Sequence, residues 1–371
     1  MKLIVLRKNL KDGLGIISGV KGSNINLPIL KNFLIETVDN KIKLSSTNLE
    51  LAITSYVAGK IIEKGALVVP LDIFLNIINS LQEERINLEV KNKNLIIQTD
   101  NYHAKIQGVE KEEFPIIPQI SGDKFNIEIP TPILNKSLNS IIDSTQSSET
   151  RPELNGVLFD YQINILKLVT TDSFRLSEKI INSAVFNSKI DNKFKIIIPS
   201  KTVQEVIKSF TQENNNKTSI IFDNNQILFK DEKTEIISRL INGEFPDYQI
   251  IIPKTTETEV VVNKEQFINA LKLTSAFVGR LNEIKVIIKE GVKNIEIYSS
   301  GQGLGENKYL IPAKIKGPAL EAIFNWRFLL DGVKHLDSEN IFFGLNNNNK
   351  PAVIKSPEDN SYLYIVMPIR A

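Results

Sequence analysis

The chain repeats one arrangement of elements three times: an amphipathic helix, several strands, a second amphipathic helix and further strands. This pattern predicts six helices, which begin near Arg7, Leu71, Thr131, Ser200, Asn263 and Asn325. The spacing from the earlier to the later helix of each pair is about 64, 69 and 62 residues, and a near-constant spacing is typical of repeated architecture. The repeat therefore favours similar domains arranged in tandem.

The helices are predicted from apolar residues at helical spacing and from capping residues at their starts. Leu71, Phe74 and Ile78 lie on one face of the second helix, for example. Thr131 is predicted to be an N-cap before a proline, and Asn263 with Gln266 resembles a capping box. The first helix is the weakest prediction because Gly13, Gly15 and Gly19 interrupt it.

Short alternating or fully apolar runs between the helices predict strands, and these runs outnumber the helices in each third of the chain. The mixture favours α+β domains, each an antiparallel sheet with two helices on one face. Glu113-Phe114-Pro115 and Glu244-Phe245-Pro246 lie 131 residues apart, and each precedes isoleucines and a proline. We therefore expect three tandem domains, at residues 1–122, 123–252 and 253–371.

The composition excludes several classes of chemistry. The chain has no cysteine, so disulfides, thiolate metal sites and thiol nucleophiles are excluded. Its two histidines, His103 and His335, lie in different thirds and form no pair with metal-ligand spacing. The N-terminus lacks a signal-peptide core, and no stretch approaches the ~20 apolar residues of a membrane span. We therefore expect a cytoplasmic protein with no membrane contact.

No constellation of residues predicts catalysis. The glycine-rich stretch Gly301–Gly305 lacks the helix that a phosphate loop requires, and it is interpreted as a hairpin loop. The sequence therefore predicts no catalytic residue, no metal and no cofactor, and an enzyme with an unrecognised site is the least favoured class.

Positive charge concentrates on the predicted helices. They carry ten cations against six carboxylates, a net +4, whereas the whole chain carries only +2. Gathered on one surface, these side chains would attract a polyanion through salt-sensitive contacts that carry no sequence information. The candidate DNA-facing residues are Arg7, Lys8, Lys11, Lys136, Lys201, Lys208, Lys264, Lys272, Arg327 and Lys334. Simple solvation of outer helix faces is the alternative interpretation of this pattern.

Several segments resemble one family, the bacterial DNA polymerase sliding clamp or beta subunit. The resemblance spans the full chain and is carried by Leu27–Leu30, Arg151–Phe159, Thr171–Leu176, Gly243–Tyr248 and Val366–Arg370. It implies three similar domains per subunit and a head-to-tail homodimer that closes a six-domain ring around duplex DNA. The implied partners are DNA, the replicative polymerase, the clamp loader and other replication and repair proteins.

The resemblance also implies a pocket for short client peptides between the second and third domains. Matched position by position, it comprises Leu154, Thr171, Ser173, Phe174, Arg175, Leu176, Pro246, Ile250, Ile251, Ile365, Val366, Met367, Pro368 and Arg370. This set is mostly apolar with a few polar groups, which suits a peptide groove. Without the resemblance, Leu154, Leu176, Ile251 and Val366 would be interpreted as plain core.

The sequence departs from the family's pattern at several positions. Ser173-Phe174 stands where the family commonly has Gly-His, and Ile250 stands where a basic residue is frequent. Both changes make the rim of the pocket more apolar. Asn24 and Asp72 occupy positions at which some members have basic residues, whereas Lys201 matches a basic position.

The dimer contact implied by the resemblance joins the first domain of one subunit to the third domain of the other. Phe277, at the end of the fifth helix, is the candidate interface residue. A monomeric β-rich scaffold that binds only proteins is the alternative to the DNA-encircling clamp.

Overall fold

The computed structural model describes residues 1–20, 26–120, 125–148, 150–210 and 216–370. Asn24 and the expected first domain boundary, between residues 122 and 123, lie outside these described residues.

All six predicted helices are present. They are α1 (Arg7–Ile17), α2 (Leu71–Ser80), α3 (Thr131–Ile141), α4 (Ser200–Ser209), α5 (Lys264–Thr274) and α6 (Trp326–Lys334). The side chains of Asn263 and Asn325 cap α5 and α6 by accepting from the backbone N–H groups of Gln266 and Arg327. The hydroxyl of Thr131, the first residue of α3, pairs with that of Thr218 at 2.9 Å.

The strands occupy most of the sequence between the helices. In the first third they are β1 (Lys2–Leu6), β2 (Asn32–Val38), β3 (Lys41–Thr47), β4 (Leu51–Val57), β5 (Gly59–Glu63), β6 (Ala66–Pro70), β7 (Arg85–Lys91), β8 (Asn94–Gln98) and β9 (His103–Gln107). In the second they are β10 (Asn126–Pro130), β11 (Gly156–Tyr161), β12 (Ile165–Thr171), β13 (Arg175–Asn182), β14 (Asn187–Ser188), β15 (Phe194–Pro199), β16 (Lys217–Phe222), β17 (Gln226–Lys230) and β18 (Thr234–Arg239). In the last they are β19 (Thr258–Asn263), β20 (Glu283–Ile288), β21 (Asn294–Gly301), β22 (Gly305–Lys316), β23 (Leu320–Asn325), β24 (Asn340–Leu345), β25 (Ala352–Lys355) and β26 (Tyr362–Val366).

The chain divides into two compact units, and every sheet lies within one of them. The first unit comprises Met1–Asn135, Val185–Asp191 and Lys201–Leu240, and the second comprises the remaining residues. Sheets of five strands (β5-β1-β7-β8-β9) and nine strands (β14-β10-β16-β17-β18-β4-β3-β2-β6) belong to the first unit. A sheet of twelve strands (β15-β11-β12-β13-β26-β25-β24-β19-β22-β21-β20-β23) belongs to the second.

One hydrogen bond shows the threefold repeat at atomic detail. In each third, a strand hydroxyl donates to the carbonyl of the final residue of the earlier helix: Ser46 to Ile17 at 2.5 Å, Thr170 to Ile141 at 2.6 Å and Ser299 to Thr274 at 2.7 Å. The last carbonyls of a helix have no partner within the helix, so a buried helix end needs such a donor. Because the same hydrogen bond occurs in all three repeats, Ser46, Thr170 and Ser299 occupy equivalent strand positions.

Gly13 of the first helix has a packing role rather than a breaking role. A Cβ on Gly13 would lie 2.4 Å from Cγ2 of Val57, so α1 approaches β4 more closely than a larger residue would permit. The helix continues through Gly13 and Gly15 and ends at Ile17. Buried packing against the sheet outweighs the low helix propensity of glycine here.

Antiparallel strand pairs join the repeats within each unit. β4 pairs with β18, and Ile53 lies opposite Ile236. β13 pairs with β26 in the same way, and Ser177 lies opposite Tyr364. Each pair therefore continues a sheet from one repeat into the next.

Candidate functional site

A tight turn between β12 and β13 presents two side chains to solvent. The Thr171 hydroxyl donates to the carbonyl of Arg175 at 2.7 Å, and Oδ1 of Asp172 accepts from the N–H groups of Phe174 and Arg175 at 3.0 and 2.9 Å. Ser173 adopts a left-handed conformation (φ 75°), a shape that such side-chain bonds support. The phenyl ring of Phe174 is left 61% exposed, a large apolar exposure for a single residue.

The C-terminal segment is held between this turn and the edge of β23. The N–H of Met367 donates to the carbonyl of Phe174 at 2.8 Å, and the N–H of Ile369 donates to the carbonyl of Ile323 at 2.7 Å. Two backbone bonds on opposite sides fix the path of residues 367–369, and the side chains of this segment therefore form one wall of a cavity.

The cavity between these elements has a volume of about 530 Å³. It is lined by Ser173, Phe174, Asn325, Phe328, Met367, Pro368, Ile369 and Arg370. Five of these side chains are apolar and polar groups lie among them, which is the usual composition of a site for a small ligand or a short peptide.

Arg175 supports the cavity from behind and is not itself one of its lining residues. Its guanidinium contacts Asp172 at 2.8 Å and Asp331 at 2.5 Å, donates to the carbonyl of Asp143, and lies 4.3 Å from the centroid of the Phe328 ring. Burial alone would lower the pKa of Arg175, but its interactions with Tyr364, Asp331 and Asp172 raise that pKa above its ordinary value. Because the two carboxylates and the carbonyl hold the guanidinium in place, Arg175 presents a fixed surface against which the Phe328 ring packs.

A second group of charges continues this network. Lys334 Nζ lies 2.8 Å from Asp143 and 2.7 Å from Asp331, and His335 Nε2 lies 2.9 Å from Asp143. Burial alone would raise the pKa of Asp143, but hydrogen bonds and charges from His335 and Lys334 lower it to about 2. The network ties the end of α6 to the turn that follows α3.

The residues expected in the peptide pocket fall into three groups. Ser173, Phe174, Met367, Pro368 and Arg370 line the cavity. Another group does not line it: Leu154, Leu176, Ile365 and Val366 are buried core, Thr171 holds the turn, and Arg175 contacts the ring of Phe328. The remaining three lie on the segment after β18, where Ile250 and Ile251 are exposed and Pro246 lines a different cavity.

Sequence reasoning missed Asn325, Phe328 and Ile369. Phe328 lies outside the inward stripe of Trp326, Leu329 and Val333, so an aromatic residue off the apolar face was the available signal. Asn325 was predicted as the N-cap of α6, and that role explained the asparagine without any part in a site. Ile369 carried no signal of its own.

Half of the candidate DNA-facing cations have internal partners. Arg7 donates to the carbonyl of Leu81 and Lys264 to that of Leu336, while Lys136, Lys208 and Lys334 pair with carboxylates. The other five are exposed: Lys8, Lys11, Lys201, Lys272 and Arg327.

Phe277 ends a short 3₁₀ turn after α5 and is half-buried. A Cβ on Gly301 would lie 2.7 Å from its carbonyl oxygen, so the β21–β22 hairpin packs closely against it. Nearby in sequence or on that hairpin, Leu273, Leu281 and Leu304 are 47%, 70% and 55% exposed. The third repeat therefore has several exposed leucines on the elements that flank Phe277.

The described part of the chain offers neither a metal site nor a membrane-spanning helix. No group of three or more His, Cys, Asp or Glu residues there could hold a metal ion. No helix among those residues is long and apolar enough to cross a membrane.

Family models match nearly the whole sequence in order. Residues 1–118 match the N-terminal domain of the DNA polymerase III beta subunit, residues 128–247 its central domain and residues 249–370 its C-terminal domain. The chain belongs to the DNA polymerase III beta subunit family.

Relatives of this chain are similar to it over their full lengths. The beta sliding clamp of Bacillus subtilis is 27% identical, with 100% of both chains covered. The crystal structure of the Bacillus subtilis sliding clamp matches with a TM-score of 0.93, at 27% identity and with 100% and 99% of the two chains covered. A beta subunit from Thermotoga maritima matches with a TM-score of 0.88, at 28% identity and the same coverage. The fold is therefore three sheet-rich domains with helices, as expected from the repeat.

The first compact unit carries a turn of the same design between β3 and β4. Leu49 has φ 78°, and the Thr47 hydroxyl donates to the carbonyl of Leu51 at 3.1 Å. The N–H of Arg239 donates to the carbonyl of Glu50 at 2.9 Å, as Met367 does to Phe174. Glu50 and Arg239 also form an ion pair at 3.5 Å. The repeat thus supplies the same frame twice, with an ion pair beside it in the first unit and the apolar cavity beside it in the second.

Proposed function

We propose that this chain is a ring-forming processivity factor that encircles duplex DNA, slides along it and tethers the replicative polymerase. Membership of the beta subunit family supports this proposal, as do relatives that are named beta sliding clamps over their full lengths. These names favour the clamp over a monomeric protein-binding scaffold. The role is non-catalytic and cytoplasmic, and the domains are residues 1–122, 123–252 and 253–371.

The observation that carries the ring is a pair of strand edges without partners. β9 ends its sheet and pairs only with β8 among the described strands. β22 pairs with β21 over residues 305–312 and with β19 only over residues 313–316, so one edge of its first part bears no described strand. β4 and β13, which correspond to β22, have that edge filled by β18 and β26. An unpaired edge is a template for another strand.

The correspondence of the repeats predicts which residues meet at this edge. The three hydroxyl residues that bond the helix ends, Ser46, Thr170 and Ser299, are equivalent. Their strand partners are Ile53, Ser177 and Asn307, so these three positions are equivalent too. Ala104, Ile236 and Tyr364 are each the second paired residue after the turn of a hairpin, so these positions are also equivalent. We therefore infer that Asn307 of one subunit lies opposite Ala104 of a second subunit in an antiparallel pair. Two such contacts close a head-to-tail dimer, with Phe277 close to the interface.

In this proposal the apolar cavity near Phe174 and Met367 binds linear peptides of the polymerase, the clamp loader and other replication and repair proteins. The exposed Ile250 and Ile251 extend its rim. Duplex DNA is held by topology, and the exposed Lys8, Lys11, Lys201, Lys272 and Arg327 give a weak field along its path. Weak phosphate contact lets a ring slide, whereas strong contact would act as a brake.

Light scattering at micromolar concentration tests the dimer. The expected mass is about twice the 41.8 kDa of one chain. A strict monomer across that range would refute the ring.

A further inference from the structure

A second cavity of about 790 Å³ opens on the second domain, within the second compact unit. Its lining includes Asp160, Lys167 and Lys195 from the sheet and Glu244, Pro246 and Asp247 from the segment that follows β18. It does not share a lining residue with the cavity near Phe174. Unlike that cavity, it is lined largely by polar and charged groups.

The carboxylate of Asp160 is its most unusual group. The residue is only 1% exposed, yet it lines the cavity. One oxygen accepts from the side-chain amide of Gln162, and the other lies 3.8 Å from Nζ of Lys195, a side chain that is 64% exposed. A buried carboxylate ordinarily has a close cation, because desolvating an unpaired charge is costly. Asp160 has only a distant and solvated one.

The first repeat shows how the same position is neutralised. Glu36 lies opposite Lys43 on its sheet, just as Asp160 lies opposite Lys167. Glu36 has Lys43 at 3.1 Å and Lys111 at 2.5 Å. Burial alone would raise the pKa of Glu36, but these two lysines lower it below its ordinary value.

In the second repeat the corresponding lysine is turned to another partner. Lys167 Nζ lies 3.5 Å from Oε2 of Glu178, and that same oxygen accepts from the Tyr248 hydroxyl at 2.8 Å. Lys167 is therefore offset by Glu178, and the other cation of the lining is Lys195, whose Nζ lies 3.8 Å from Asp160. Three carboxylates, Asp160, Glu244 and Asp247, line the same cavity. The cavity consequently has an excess of negative charge.

We propose that this cavity binds a cationic side chain of a client polypeptide, an arginine or a lysine that flanks the apolar segment held near Phe174. The inference rests on the proposed function. Pro246 lines the cavity, and the exposed Ile250 and Ile251 of the expected peptide site follow it within five residues, so one client segment could contact both. Arginine suits the site best because a guanidinium can donate two parallel bonds to one carboxylate.

The test uses peptides selected on the full-length protein from a random twenty-residue library. Wild-type protein should enrich arginine or lysine at a fixed distance from the apolar segment, and Asp160→Asn should not. For the best arginine peptide, replacement of arginine by its neutral isostere citrulline should weaken binding about tenfold. The same replacement should have no effect with Asp160→Asn. Glu36→Gln is the matched control, and it should leave the tenfold difference intact.

Two further variants separate binding from folding. Asp247→Asn, at an exposed position on the rim, should also reduce the preference for arginine over citrulline. Lys195→Gln should increase that preference, because it removes the competing cation; a merely structural role would not predict an increase. If the selected peptides bind near Phe174 but arginine and citrulline forms bind equally, the proposed cationic site is wrong while the clamp function stands. If no peptide is selected at all, the peptide-binding function fails first.

Discussion

The backbone N–H of Met367 donates a 2.8 Å hydrogen bond to the carbonyl of Phe174, a residue 193 positions earlier in the chain. This bond extends the β13–β26 pair beyond Val366 and brings two apolar side chains to the same cavity. The equivalent bond from Arg239 to Glu50 brings together a cation and a carboxylate instead. The same backbone arrangement thus borders an apolar cavity in the second unit and an exposed ion pair in the first.

Phe174→Ala is expected to weaken client-peptide binding about tenfold, because a large exposed ring on the cavity rim is removed. Its stability should hardly change, since the ring is 61% exposed. Fluorescence anisotropy with a labelled peptide and urea denaturation measure the two effects. Ile116→Ala is the control, because Ile116 is 95% exposed in the first unit and should affect neither. Equal loss of affinity in both variants would contradict the assignment of the cavity.

Arg175→Met is expected to lower the free energy of unfolding by about 3 kcal/mol, because it leaves the part-buried carboxylates of Asp172 and Asp331 without their cation. Arg327→Met, at an exposed position on α6, should change it by less than ~0.5 kcal/mol. Urea denaturation monitored by circular dichroism compares the two. Indistinguishable stabilities would show that the network around Arg175 does not hold this region together.

Asp143 should make stability depend on pH in the acid range. Its pKa falls from an ordinary value of 3.8 to about 2 in the folded chain, so its ion pairs contribute stability above pH ~4 that is lost as the pH falls toward 2. Asp143→Asn should therefore be less stable than the wild type at pH 6, and the difference should shrink between pH 4 and 2. Asp100→Asn, at an exposed position, serves as the control in the same denaturation series. A difference that is constant with pH would rule out this cause.

The proposed subunit interface can be locked by a disulfide, since the chain has no other cysteine. Residues that lie directly opposite in antiparallel strands are close enough for the bond. Ala104→Cys combined with Asn307→Cys should give a covalent dimer on a non-reducing gel. Ala104→Cys with Leu310→Cys moves one partner about 10 Å along the strand and should not. Efficient cross-linking of the second pair alone would mean that the register is wrong.

The elements themselves were largely predictable, because helical spacing and strand alternation are local. The start of α2 at Leu71 and the bounds of β4 and β26 agree with the apolar pattern of the sequence. Roles that depend on distant partners were not predictable. Lys264 looks like a solvated helix cation in sequence, but it donates to the carbonyl of Leu336.

The same distinction between local patterns and distant contacts applies to the candidate site. The turn at Ser173 was visible because its residues match a family motif, but the contribution of Phe328 was not. That side chain lies against Arg175, more than 150 residues earlier, whose guanidinium is 4.3 Å from the centroid of its ring. The edges of β9 and β22 that pair with no described strand are likewise visible only in the complete sheet order.

A circular plasmid tests whether the protein is held on DNA by encircling it. A labelled, clamp-loader-treated protein is isolated on the closed circle by gel filtration, and half of the sample is then cut once with a restriction enzyme. We expect the protein to stay with the uncut circle and to be lost from the linear form as it slides off the ends. Equal retention on circular and linear DNA, or equal loss from both, would contradict topological binding.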